Sequence, residues 1–192
     1  FDIDGRLNAV EPEVLKTLKK AGCVYINYGV ESLDQNVLDN MHKTQTIDEI
    51  IRGVKMTTDE GINPGLNVIF GNIGDNRETA KKTVDFLLKY NTYGELRTLK
   101  PVTPYPGSPL YYTAIEKGLI KDCEDFYENK HLNSDRLTCN FTELTDDEFY
   151  KTILESNNTL IKDHFRHVID KYLKAHQSLY LEADISFRGV RH

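Results

Sequence analysis

Apolar residues recur along this chain in two alternating rhythms. Val14, Leu15 and Leu18 share a helical face that begins at Glu11-Pro12, with proline at the first helical position, and stops at Gly22. Val24 to Tyr28 then reads as a buried strand ending at Gly29. Asp34 caps a short helix carrying Val37, Leu38 and Met41. Thr46-Ile47-Asp48-Glu49 is a capping box, in which hydroxyl and carboxylate each answer an orphan N–H, and it opens a helix with Ile47, Ile50, Ile51 and Val54 on one side. The cycle repeats with a strand over Leu66 to Phe70, a glycine-bearing loop, and a helix with Ala80, Val84, Leu87 and Leu88 at helical spacing. A further strand is predicted from about Arg97 to Val102, and a helix from Leu110 to Gly118.

Strict alternation of strand, loop and helix implies right-handed crossovers and a parallel sheet covered by helices. Functional groups then gather in the loops after the C-terminal strand ends. Beyond Gly118 the rhythm breaks into a polar stretch over 119–144, with a short helix near Cys123 to Asn129. A second capping box, Thr145-Asp146-Asp147-Glu148, opens a long helix. Its stripe of Phe149, Ile153, Leu160, Ile161, Phe165, Val168, Ile169 and Tyr172 predicts packing on the sheet domain, while Ser186 to His192 show no pattern. The division is therefore a sheet unit over 1–120 and a mostly helical extension over 121–192.

Composition changes this picture little. An apolar share of 39% with 28% charged residues is that of a folded globular chain, and a formal charge of −6 disfavours loose binding to nucleic acid or anionic lipid. Apolar runs are of strand length, far short of the roughly 20 residues that cross a bilayer. Cys23, Cys123 and Cys139 are too dispersed for a self-contained zinc or cluster motif, which fits free thiols in a reducing cytoplasm. The start, Phe1-Asp2-Ile3-Asp4-Gly5-Arg6, lacks an initiator methionine and reads as a strand already under way, so the chain is expected to be a fragment.

Three strand-end loops carry candidate chemistry. Gly29-Val30-Glu31-Ser32 sets a carboxylate beside a hydroxyl, although Ser32 as a helix cap and Glu31 facing solvent would explain both. Gly71-Asn72-Ile73-Gly74-Asp75 lets backbone approach a flat ligand near a helix N-terminus, and without the Lys-Ser/Thr ending it is not a P-loop. Pro101 to Pro109, with prolines at 104, 106 and 109 around Gly107-Ser108, is a pre-ordered segment that exposes backbone in a fixed shape. Tyr25, Tyr28, Tyr105, Tyr111 and Tyr112 are expected near the mouth, as packing groups or as a stacking partner for a base. His164 and His167, three apart on the last helix, form a pair without a third metal ligand.

The order of these motifs resembles that of radical S-adenosylmethionine (radical SAM) enzymes. The resemblance runs through Arg6, Leu18 to Cys23, Tyr28-Gly29-Val30-Glu31-Ser32, Leu38, Lys43, Thr46, Phe70-Gly71 to Asp75, and Pro104-Tyr105-Pro106-Gly107-Ser108-Pro109-Leu110-Tyr111. Within the family it is most similar to iron–sulfur oxidoreductases and methylthiotransferase-like proteins that often carry an upstream cobalamin-binding domain. It implies a partial parallel (β/α)6 TIM-like half barrel, from the end of the family's third strand to its sixth, followed by the helical extension. It also implies that Glu31 and Ser32 meet the ribose of S-adenosylmethionine, that Gly71, Gly74 and Asp75 with Val102 and Thr103 meet the adenine, and that Arg6 pairs with the methionine carboxylate or a substrate anion. Ile73-Gly74-Asp75 departs from the Pro-Gly-Glu common in related proteins.

The whole enzyme implied would hold a [4Fe–4S] cluster on three upstream cysteines, cleave S-adenosylmethionine reductively, and pass a 5′-deoxyadenosyl radical to an unknown small-molecule substrate. This fragment would present cofactor contacts and be inactive alone. Two other readings compete. One is a non-catalytic α/β module that associates through exposed sheet edges. The other is an unrelated (β/α) barrel enzyme using Glu31 and Asp75 as an acid–base pair.

Overall fold

A computed structural model describes residues 1–183, 185 and 186; the tail 187–192 lies outside the described residues. Four strands, β1 (Asp2–Gly5), β2 (Tyr25–Glu31), β3 (Asn63–Phe70) and β4 (Lys100–Pro101), form one parallel sheet in the order β1-β2-β3-β4. Helices α1 (Pro12–Lys20), α2 (Gln35–Asn40), α3 (Ile47–Asp59) and α4 (Arg77–Lys89) fill the crossovers. After β4 come α5 (Pro109–Glu116), the single turn α6 (Cys123–Asp125) running into a π-helical turn over Phe126–Lys130, and α7 (Asp146–Leu181). This is the helix-covered parallel sheet that the alternation predicts, in the open, TIM-like half-barrel form that the family resemblance implies, followed by a long C-terminal helix.

Local chemistry accounts for the helix starts. Thr46 and Thr145 accept from the N–H groups of Glu49 and Glu148 and complete both capping boxes. Asp34 caps α2 by accepting from Asn36 and Val37, and Ser108 caps α5 ahead of Pro109.

β2 is buried on one face only. Ile26, Tyr28 and Val30 lie under the helices together with Leu66, Val68 and Phe70 of β3. The alternate face is polar: Asn27 donates to Asp4 at 2.9 Å and receives a bond from Asn67 at 2.8 Å, a ladder across three strands. An open half barrel leaves this inner face without the far wall that would make every strand position apolar.

Two expectations need correction. The strand over Arg97 to Val102 shrinks to Lys100–Pro101. The Asn157 side chain of α7 replaces strand pairing at Leu99, accepting from its N–H at 2.8 Å and donating to its carbonyl at 3.1 Å. Arg97, 7% exposed, turns inward to the carbonyl of Pro64 and the carboxylate of Glu95. The apolar stripe of α7 also packs over only its first half. Phe149 and Leu160 are buried, whereas Phe165, Ile169 and Tyr172 are exposed. A 36-residue helix is about 54 Å long, while its neighbour α4, with 13 residues, covers roughly 20 Å.

Candidate functional site

Because all four strands run the same way, their C-terminal ends share one edge. The loops leaving β2, β3 and β4 therefore stand side by side, and the 42–45 segment between α2 and α3 crosses the ends of β1 and β2. Arg6 follows β1, is exposed, and donates to Thr44 Oγ1 at 3.2 Å. Glu31 ends β2 beside a bulge, with φ +66°, and its carboxylate receives Lys43 Nζ at 2.9 Å. Buried Gln45 reaches the carbonyls of Gly29 and Val30, both at 3.3 Å, and so holds that bulge open. The left-handed backbone at a non-glycine residue is the strained kind of position that fixed surroundings must maintain. Ser32 is buried, and its Oγ accepts from the Asp34 N–H at 3.2 Å, so the cap of α2 is Asp34 and Ser32 shapes the turn before it.

The β3 loop is closed on itself. Asp75 Oδ2 accepts from the N–H groups of Gly71 and Asn72, both at 2.9 Å, and Oδ1 accepts from Thr79 Oγ1 at 2.8 Å. Burial pushes the Asp75 carboxyl above its ordinary range, against the pull of these three donors. Gly71 and Gly74 have φ +111° and +94°, and a Cβ at Gly71 would sit 2.8 Å from the ring of Phe149. Asn40 of α2 donates to the carbonyl of Ile73 at 2.9 Å and ties the loop to its neighbour.

Between this loop, the end of α2, the β4 exit at Val102-Thr103 and the start of α5 lies a cleft of about 270 Å³. It brings Val102 and Thr103 together with Asn72 and Ile73; Gly71, Gly74 and Asp75 shape its wall from behind. Glu31, Ser32 and Arg6 stand outside its lining, at the neighbouring strand ends. Asn72 is 4% exposed, and its Nδ2 has no hydrogen-bond partner. Sequence reasoning singled out this loop for its glycines and passed over Asn72, whose isolation depends on which way the loop folds. Lys43 and Gln45 were equally hidden as partners of the β2 end, being 12 and 15 residues from what they hold.

Glu31 and Asp75 are each engaged by their own neighbourhoods, and neither is poised as half of an acid–base pair. None of the five tyrosines expected at the mouth lines the cleft. Tyr25 begins β2, at the opposite end from Glu31, and donates to Glu95, while Tyr28 lies under the helices against Thr57. His167 stacks on Tyr93 with ring centroids 3.6 Å apart, and no group of three or more metal-ligating side chains occurs among the described residues.

Parallel strands opening onto a cleft at their C-terminal ends define an open α/β half barrel. Residues 2–87 match the family model of the Radical SAM superfamily. An uncharacterized methyltransferase of Pyrococcus horikoshii is 25% identical over 189 residues, 93% of this chain and 40% of that protein. The bacteriochlorophyllide d C-8(2)-methyltransferase of Chlorobaculum tepidum is 30% identical over 143 residues, 71% of this chain and 31% of that protein. The chain thus spans well under two thirds of these relatives. Among solved structures, the radical S-adenosylmethionine methyltransferase TsrM from Kitasatospora setae, with cobalamin and a [4Fe–4S] cluster bound, superposes with TM-score 0.62 at 17% identity, over 83% of this chain and 36% of TsrM. At that identity the likeness is one of fold.

Proposed function

We propose that this chain is the later half of a radical SAM domain, that its cleft takes the adenosyl group of S-adenosylmethionine, and that the whole protein is an enzyme of the cobalamin-associated, iron–sulfur oxidoreductase type. Methyl transfer is the variant its relatives favour. The observation that carries the reading is the cleft between the β3 loop and the β4 exit, apolar on Ile73 and Val102 and holding a buried, unpartnered donor. In this reading Gly71 and Gly74 let the backbone approach the base, Val102 and Thr103 flank it, and Glu31 with Ser32 faces the ribose. Asp75 acts by fixing the loop, and Arg6 answers the methionine carboxylate or a substrate anion. The residues present suit the adenosyl group and do not suit the cluster, because the three cysteines do not converge and burial pushes the Cys139 thiol up to about 11. When bound elsewhere in the whole protein, the cluster would supply the electron for cleavage. The part of this chain is to bind, orient and exclude water.

The test is anaerobic reconstitution of the full-length protein with iron and sulfide, followed by incubation with a low-potential reductant and assay for 5′-deoxyadenosine and S-adenosylhomocysteine from S-adenosylmethionine. Formation of either supports the reading, and a cluster-loaded protein that forms neither overturns it. A second reading, self-association, draws on the outer edge of β1, which has a strand neighbour on one side only. Sedimentation of a plain monomer at high concentration counts against it.

A further inference from the structure

Resting on the adenosyl reading of the cleft, we propose that Asn72 determines which base is accepted, its side-chain amide donating to an unprotonated ring nitrogen of the purine. Several other polar groups around the cleft are already engaged, whereas His42 and Thr103 line it at its open side. Asn40 donates to the carbonyl of Ile73, Ser108 Oγ accepts from Tyr111, Thr113 donates to the carbonyl of Pro109, and the Val102 N–H goes to Phe70. Asn72 itself is held on both backbone sides, its N–H donating to Asp75 Oδ2 at 2.9 Å and its carbonyl accepting from the Asp75 N–H at 3.0 Å. Its side-chain Nδ2 is left over, on a residue 4% exposed that lines the cleft.

A buried donor without an acceptor is rare in folded proteins and calls for a partner. Here the backbone of the residue is held on both sides, so only the two side-chain torsions are left to order when a ligand draws the amide toward the cleft. The partner it fits is an acceptor atom in the plane of a flat ring lying between Ile73 and Val102. An adenine offers such nitrogens, each with an in-plane lone pair and no hydrogen. Where the same ring position carries a hydrogen, donor would face donor and the base would be refused.

The experiment follows the ¹⁵N side-chain amide of Asn72 in the 192-residue chain during titration with S-adenosylhomocysteine and adenosine, and repeats the titration with 1-, 3- and 7-deazaadenosine. Adenosine is expected to shift the Asn72 amide resonances, and one deaza analogue is expected to bind about tenfold more weakly, ~1.4 kcal/mol. Asn72→Leu and Asn72→Asp, the latter similar in shape but without the donor, should weaken adenosine by a like factor and bind that analogue no worse than adenosine, because the same contact has been removed once. Three results overturn the assignment while leaving the adenosyl reading standing: an unshifted Asn72 amide with adenosine bound, three deaza analogues that bind like adenosine, or an Asn72→Asp variant that keeps full affinity. The deaza series and the amide resonances need no folded variant. Failure of the unsubstituted chain to bind either probe removes the adenosyl reading of this cleft, and the assignment with it.

Discussion

Asp75 spends both carboxylate oxygens on its own loop, and this makes it the residue whose loss should be felt most. Asp75→Ala would leave the N–H groups of Gly71 and Asn72 buried without an acceptor, each costing about 1–3 kcal/mol. Urea unfolding should show a loss on the order of 3 kcal/mol with an unchanged slope; a loss under about 1 kcal/mol would mean that water replaces the carboxylate. Asp75→Asn should be much milder, since its amide oxygen can still accept and the Thr79 hydroxyl can turn to accept in its place. The two acids of this region also respond to pH in opposite senses. The folded Asp75 carboxyl is raised above its ordinary 3.8, so its contribution is full below that value and is lost as pH rises through the folded one. Wild type should therefore lose ground to Asp75→Asn on going from acid to neutral pH. Asp34 is held below 3.8, chiefly by its bond from Lys82, with burial opposing. Its contribution is present above 3.8 and lost as pH falls, so the cost of Asp34→Asn should fade on acidification. Lys82 is nearly half exposed, so solvent screening keeps that cost small. Urea midpoints for the pair of variants across pH 3 to 7 (roughly the carboxylate range) check both signs.

At the scale of elements, what could be read from sequence was what is decided within a few residues. The boxes at Thr46 and Thr145, the cap at Asp34 and the proline opening α1 are local hydrogen-bond and dihedral requirements, and each falls where the pattern puts it. The glycines of the β3 loop were legible for the same reason, since positive φ is a demand of the residue itself. The last strand was not, because the group that takes over its pairing lies 58 residues away: Asn157 satisfies both backbone groups of Leu99. Arg97 was misread likewise; its inward turn depends on the carbonyl of Pro64, on another strand. This makes Asn157 a joint between α7 and the sheet. Asn157→Leu should cost on the order of 2 kcal/mol by orphaning an N–H and a carbonyl. Amide hydrogen exchange should rise at Leu99 and the adjoining β4 before it rises in β2. If exchange at Leu99 is unchanged while stability falls, the loss lies in α7 packing and the joint is not the cause.

For the whole molecule, the decisive arrangement is that the strand ends converge while the thiols do not. Cys23 is fully buried beneath the helices, Cys139 is buried in the small cluster around Phe126, and Cys123 is exposed at the start of α6. A cluster binds thiolates. Cys139 cannot readily become one, because burial pushes its thiol up to about 11, leaving it almost wholly protonated near neutrality. Cys123 is thus the accessible thiol among the described residues, and one thiol does not hold a cubane. Anaerobic incubation of the 192-residue chain with iron and sulfide should therefore give no cluster absorbance beyond that of a Cys123→Ser variant, and no 5′-deoxyadenosine from S-adenosylmethionine with a low-potential reductant. Binding of S-adenosylhomocysteine by the same preparation should persist, since the cleft depends on the β3 loop, the β4 exit and α5 and on no cysteine. A cluster that forms on this chain and survives gel filtration would show that Cys139 or Cys23 becomes accessible, and that the sheet opens far more readily than its buried core implies.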